Sequence, residues 1–168
     1  GVLTPVDAPS ARHPARVRVP AARFTPDGRA VLYLRDDGED GFVRLKHAEL
    51  DGSAPRPLTP AMPHDVEHFD VSADGRYLAY TWSEAGYSRL ALVDQRAHTP
   101  LPVPAELPAG VISRLRFDRR GARLALEVST ATTPTEIDVI DVANTAVTRW
   151  AQAPAAGGAL QPARRLRF

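Results

Sequence analysis

The 168-residue sequence predicts an all-β chain, a β-propeller fragment of about three four-stranded antiparallel blades. Three observations predict it. A Gly-centred turn followed by an alternating apolar strand occurs three times, and a second, shorter motif keeps the same period. Proline, at 16 residues about twice its usual frequency, favours short elements broken by many turns.

The first motif reads "RFTPDGRAVLYLR" at 23–35, "FDVSADGRYLAYTW" at 69–82 and "RFDRRGARLALEV" at 116–128. Its glycines, Gly28, Gly75 and Gly121, are spaced by 47 and 46 residues. The second motif is "GFVRL" at 41–45 and "GYSRL" at 86–90, 45 residues apart, and the third unit carries "TEIDVIDV" at 135–142 in that place. Asp-Gly supplies the positive φ of a tight turn, and Tyr77, Leu78, Tyr80 and Trp82 suit a pleated, half-buried surface.

In the second unit the four strands are expected near 67–71, 76–82, 87–93 and 99–103, with turns at 73–75, 83–86 and 94–98. Pro55, Pro57, Pro100, Pro102 and Pro104 fall at or near the fourth strand. A missing N–H is tolerated only at a sheet edge, so this is the outermost strand of a blade. The chain divides into a lead-in or the end of a preceding blade at 1–20, blades at 21–64, 65–110 and 111–152, and a loop with a first strand at 153–168. Closed propellers have roughly four to eight blades, so three units are an open arc whose end faces are expected to be apolar. "QPARRLRF" at 161–168 starts another alternating strand, and the fold is expected to continue past Phe168.

Composition narrows the function. The chain is 43% hydrophobic and 24% charged, as in globular proteins, with a net charge of +1 from 21 basic and 20 acidic residues. The basic residues are dispersed, and the three arginines of "ARRLRF" at 163–168 suit a solvated strand face, so neither nucleic acid nor a membrane is an expected partner. The absence of cysteine excludes disulfides, thiolate metal sites and cysteine nucleophiles. No apolar run approaches the roughly 18 residues of a membrane span, and Gly1 opens without a charged-then-apolar leader, the expected mark of a processed or excised start.

The segments "TPDGRAVLYLRDD", "SADGRYLAYTWSEAGYSRLALVD" and "LPAGVISRLRFDRRGARLAL" resemble the PD40, or TolB-like, propeller repeat. The order "DVEHFDVSADGRYLAY", "GYSRL", "LPAGVISRLRFDRRGARLAL", "STATTPTEIDVIDVANTAVTRW" and a Gly-Gly loop resembles the last propeller blades of the S9, or prolyl oligopeptidase, family of serine peptidases, especially its bacterial acylaminoacyl-peptidase-like and dipeptidyl-peptidase-like members. The resemblance covers 21–168 and implies a non-catalytic part that gates and positions peptide substrates. It also implies a separate α/β-hydrolase domain of the same parent chain and no cofactor, leaves bacterial cytoplasm and periplasm both open, and does not speak to oligomeric state. A TolB-like scaffold that binds protein partners without catalysis is the alternative. The third unit departs from the repeat where Asp118-Arg119-Arg120-Gly121 replaces Pro-Asp-Gly, and where Glu136 stands in place of Arg44 and Arg89.

Candidate chemistry is sparse. A nucleophile elbow needs G-x-S-x-G on a strand-to-helix turn; Gly86 and Ser88 have the spacing, but Leu90 replaces the second glycine within a hairpin, so no catalytic residue is assigned. His64 and His68 in "HDVEH" do not follow H-E-x-x-H, and on a strand they lie about 13 Å apart. They form a polar connection between blades, with His68 at the entry to a strand, and no metal is expected. Arg44 and Arg89, at equivalent repeat positions, are the substrate-binding candidates: planar guanidinium groups in a central channel would select peptide carboxylates. The competing reading ties them to the acidic turn residues Asp36, Asp37 or Glu84. Trp82 and Trp150 are expected to be packing anchors.

Overall fold

The computed structural model describes residues 21–36 and 41–151. The lead-in at 1–20, Asp37 and the loop and strand at 153–168 lie outside them. The described residues are all-β and form three four-stranded antiparallel sheets, each in sequential order. The first holds β1 (Ala22–Phe24), β2 (Ala30–Asp36), β3 (Val43–Glu49) and β4 (Arg56–Pro57). The second holds β5 (Val66–Val71), β6 (Tyr77–Glu84), β7 (Tyr87–Asp94) and β8 (Thr99–Leu101). The third holds β9 (Val111–Phe117), β10 (Arg123–Ser129), β11 (Glu136–Asp141) and β12 (Val147–Ala151).

The β1–β2 and β5–β6 turns are built alike from the repeated side chains. Thr25 donates its hydroxyl to Asp27 at 2.6 Å and accepts the Ala30 N–H at 3.0 Å; Ser72 donates to Asp74 at 2.7 Å and accepts the Tyr77 N–H at 2.8 Å. Gly28 and Gly75 close these turns at φ of 69° and 72°. In the third unit Asp118 does both jobs. Its carboxylate accepts the N–H of Ala122 at 2.9 Å and of Arg123 at 3.3 Å, so the turn closes at Gly121 without an Asp before the glycine. Gly121 also packs across the blade boundary, because a Cβ there would lie 2.9 Å from Ser72 Cβ.

The β6–β7 hairpin is tighter than the sequence suggested. Ser83 and Glu84 belong to β6, and only Ala85 and Gly86 form the loop, at φ of 54° and 85°. Two successive positive φ angles define the turn that matches strand twist. His68 lies inside β5 rather than at its entry: the strand starts at Val66, and a bulge between Val66 and His68 leaves Glu67 out of the pairing.

Two apolar clusters hold the sheets together. Leu32, Leu34 and Leu45 of the first blade meet Val66, Phe69, Leu78 and Tyr80 of the second. On its other face the second blade presents Ala79 and Leu92 to Ile112, Leu115, Phe117, Leu124, Leu126, Val128 and Ile140 of the third. The middle blade is therefore covered on both faces, which makes Leu78 to Thr81 a continuous buried run rather than an alternating one. The two ends differ: on β2, Tyr33 and Arg35, which alternate with Leu32 and Leu34, are buried, whereas Ile137 and Trp150 of the third blade are exposed. Phe24 is 66% exposed, while Phe117, its equivalent in the third unit, is 8% exposed against the second blade. Trp150, expected as a packing anchor, is 68% exposed on the far face of the third blade; Trp82 does pack, with its ring centroid 5.9 Å from that of Tyr80.

Candidate functional site

The first strands of the sheets converge, with β9 packed against β5, β6 and β7 and β5 packed against β3. In blades arranged around a centre, first strands form the channel wall. Three charged residues occupy the same repeat position on those strands: Arg23, Asp70 and Arg116, each one residue before the last strand residue. The Asp70 side chain is only 2% exposed. It accepts the Phe117 N–H at 2.7 Å, forms an ion pair and hydrogen bond with Arg23, and lies 3.9 Å from Arg116 Nη1. Burial pushes its carboxyl above the ordinary aspartate value of 3.8, because desolvation outweighs relief from the Phe117 N–H and Arg23. This carboxylate links three blades at separations of 47 residues or nearly so, and no local signal announces it.

Arg44 and Arg89 lie on third strands, farther from the centre. Arg44 is buried; its guanidinium donates to the carbonyls of His64 at 2.9 Å and Met62 at 2.6 Å and covers the Phe42 ring at 5.3 Å. It ties β3 to the connection between the first two blades. Arg89 is 56% exposed and pairs with Glu84 at 2.8 Å across the hairpin. The repeat position they share thus serves two arrangements, and in the third unit Glu136 is buried and receives Arg149 at 3.1 Å. Asp138, two residues along the same face, lies 3.6 Å from Arg149.

Ser88 is occupied structurally. Its hydroxyl accepts the Ile112 N–H at 2.9 Å, and its own N–H donates to the Gly110 carbonyl at 2.9 Å, joining β7 to the start of β9. Beside it runs a groove of about 540 Å³, walled by Leu90, Val103, Leu107 and Ile112 with Tyr87 and Arg89 also lining it. A smaller cleft of about 270 Å³ between the first two blades is lined by Asp27, His47, Glu49, Arg56 and Asp74. Burial there pushes the His47 imidazole below its usual value, helped by Arg56. Among the described residues no group of three or more His, Asp or Glu side chains could hold a metal ion.

No protein-family model matches the chain, and no curated protein is significantly similar to it. Solved structures are similar in fold. TolB from Acinetobacter baumannii superposes with a TM-score of 0.65 at 16% identity, over 79% of this chain and 32% of that one. A puromycin-hydrolyzing peptidase from Mycobacterium tuberculosis gives 0.65 at 17% identity, over 83% and 22%. Prolyl oligopeptidase B from Galerina marginata gives 0.64 at 14% identity, over 87% and 20%. The chain spans a third or less of the length of each of these proteins. Its three stacked antiparallel sheets, with first strands converging and turns repeating at the same places, are consecutive blades of a β-propeller.

Proposed function

We propose that the chain is the propeller part of an S9-type serine peptidase, which gates and positions peptides for hydrolysis by a separate α/β-hydrolase domain of the parent protein. The observation that carries this reading is the order of its segments, from "HFDVSADGRYLAY" through "GYSRL" to "LPAGVISRLRFDRRGARLAL", which resembles the last blades of that family. Fold likeness to two peptidases supports it. Serine attack, histidine assistance and oxyanion stabilisation would belong to the other domain, since Ser88 is committed to the backbone of Ile112. Arg89, half-exposed along the apolar groove, is the substrate-side arginine of this proposal; Arg44, buried against the Met62 and His64 carbonyls, supports the first blade instead.

Treatment of the folded parent protein with a serine-directed fluorophosphonate tests it. Covalent labelling of a serine beyond this chain is expected; absence of labelling overturns the reading. A second reading, a TolB-like scaffold that binds protein partners, is favoured by the equal fold likeness to TolB. It predicts a parent protein with further blades and no reactive serine.

A further inference from the structure

We propose that Arg23 and Arg116, held on either side of Asp70, form a carboxylate-binding pair on the channel wall that takes a peptide carboxylate, C-terminal or side-chain. The two residues occupy equivalent positions on first strands of different blades, and both guanidinium groups approach the same oxygen, Asp70 Oδ1. Asp70 hydrogen-bonds only one of them. One oxygen is engaged by Arg23 and the other by the Phe117 N–H, which leaves Arg116 at 3.9 Å, beyond hydrogen-bonding distance.

The charge count leaves room for one more anion. Among the described residues two guanidinium groups surround a single carboxylate, which leaves the cluster with one positive charge in excess. Arg23 remains 35% exposed and Arg116 56% exposed, and among the described residues no further acceptor meets either. Arg114, two residues along the same strand, is taken by Glu127 at 3.4 Å and so does not compete for the ligand. Glu67 and His68, three and two residues before Asp70, are the other titratable groups of β5. Asp70 is a positioning residue: its buried carboxylate holds the partly exposed Arg23 guanidinium in place, and a planar fork held this way suits an incoming carboxylate.

The peptide ligand rests on the proposed function, but binding is measured without hydrolysis, so its failure is distinct from a failure to label the parent serine. The full 168-residue chain is titrated calorimetrically with three probes: N-acetyl-trialanine as the free acid, the same peptide as its amide, and N-acetyl-Ala-Glu-Ala amide. The free acid is expected to bind at least about tenfold more tightly than the trialanine amide, with the preference weakening as salt is added. Binding of the Glu peptide shows that a side-chain carboxylate serves as well; its absence assigns the site to the C-terminus. Arg116→Gln, an exposed change that keeps the fold, is expected to abolish the preference, and Arg116→Lys to retain part of it. Equal binding of acid and amide, or loss of the preference with Arg89→Gln instead of Arg116→Gln, overturns the proposal.

Discussion

The Asp70 carboxylate of β5 accepts the backbone N–H of Phe117 on β9 at 2.7 Å, joining two blades through a side chain and a main-chain group. Removing the carboxylate strands that N–H and the Arg23 guanidinium. Asp70→Ala is therefore expected to lower stability by about 2–3 kcal/mol, whereas Asp70→Asn keeps an acceptor and stays within about 1 kcal/mol. Denaturant unfolding of the two variants checks the order.

Asp70 also has a defined pH signature. Its folded-state pKa is raised by burial, so the folded state binds a proton more readily than the unfolded chain between that raised value and the ordinary 3.8. Stability contributed by this group consequently increases as pH falls through that window. Asp27 and Asp74 have the opposite sign: their turn hydroxyls, Thr25 and Ser72, lower their values, and what they contribute is lost as pH falls through those lowered values. Comparing the chain with Asp70→Asn across acid pH is expected to show the unmodified chain gaining relative stability on acidification within the Asp70 window.

Ser88→Ala leaves the buried Ile112 N–H without its acceptor. A loss of about 1–2 kcal/mol in chemical unfolding is expected. Fluorophosphonate labelling of the parent protein should be unchanged, which separates this structural serine from any nucleophile.

Gly110→Ala places a Cβ 2.3 Å from the Ser129 carbonyl oxygen, a backbone atom that cannot swing away. The same residue supplies the carbonyl that receives the Ser88 N–H. Displacing it disturbs the entry to β9, and a loss of more than about 2 kcal/mol, read as a lowered Tm, is expected.

Asp118→Ala removes the acceptor for both Ala122 and Arg123 and is expected to cost about 1 kcal/mol. Combining Asp118→Thr with Arg120→Asp recreates the Thr-x-Asp-Gly turn of the first unit and is expected to recover most of that loss. Thermal unfolding of the two variants measures the recovery.

Much of the fold was legible because it is local. Gly28, Gly75 and Gly121 mark turns whose positive φ and nearby hydroxyl or carboxylate are set within six residues, and the repeat of these turns discloses the four-stranded units. The same locality misplaced His68 and lengthened the hairpin at Ala85-Gly86, since a bulge and a two-residue loop are decided by pairing with the neighbouring strand. The candidate site was less legible. Arg44 and Arg89 share a position in the repeat, yet one reaches a linker's carbonyls and the other a hairpin glutamate.

The sequence by itself determined the period, the strand order within each blade and the absence of a nucleophile elbow, because turn chemistry and apolar alternation act between near neighbours. Only the tertiary structure decided that the middle blade is buried on both faces and that Arg23, Asp70 and Arg116 meet. The physical reason is stacking: side chains 46 or 47 residues apart come together only when whole sheets pack face to face, and the packing also determines which charges are removed from water.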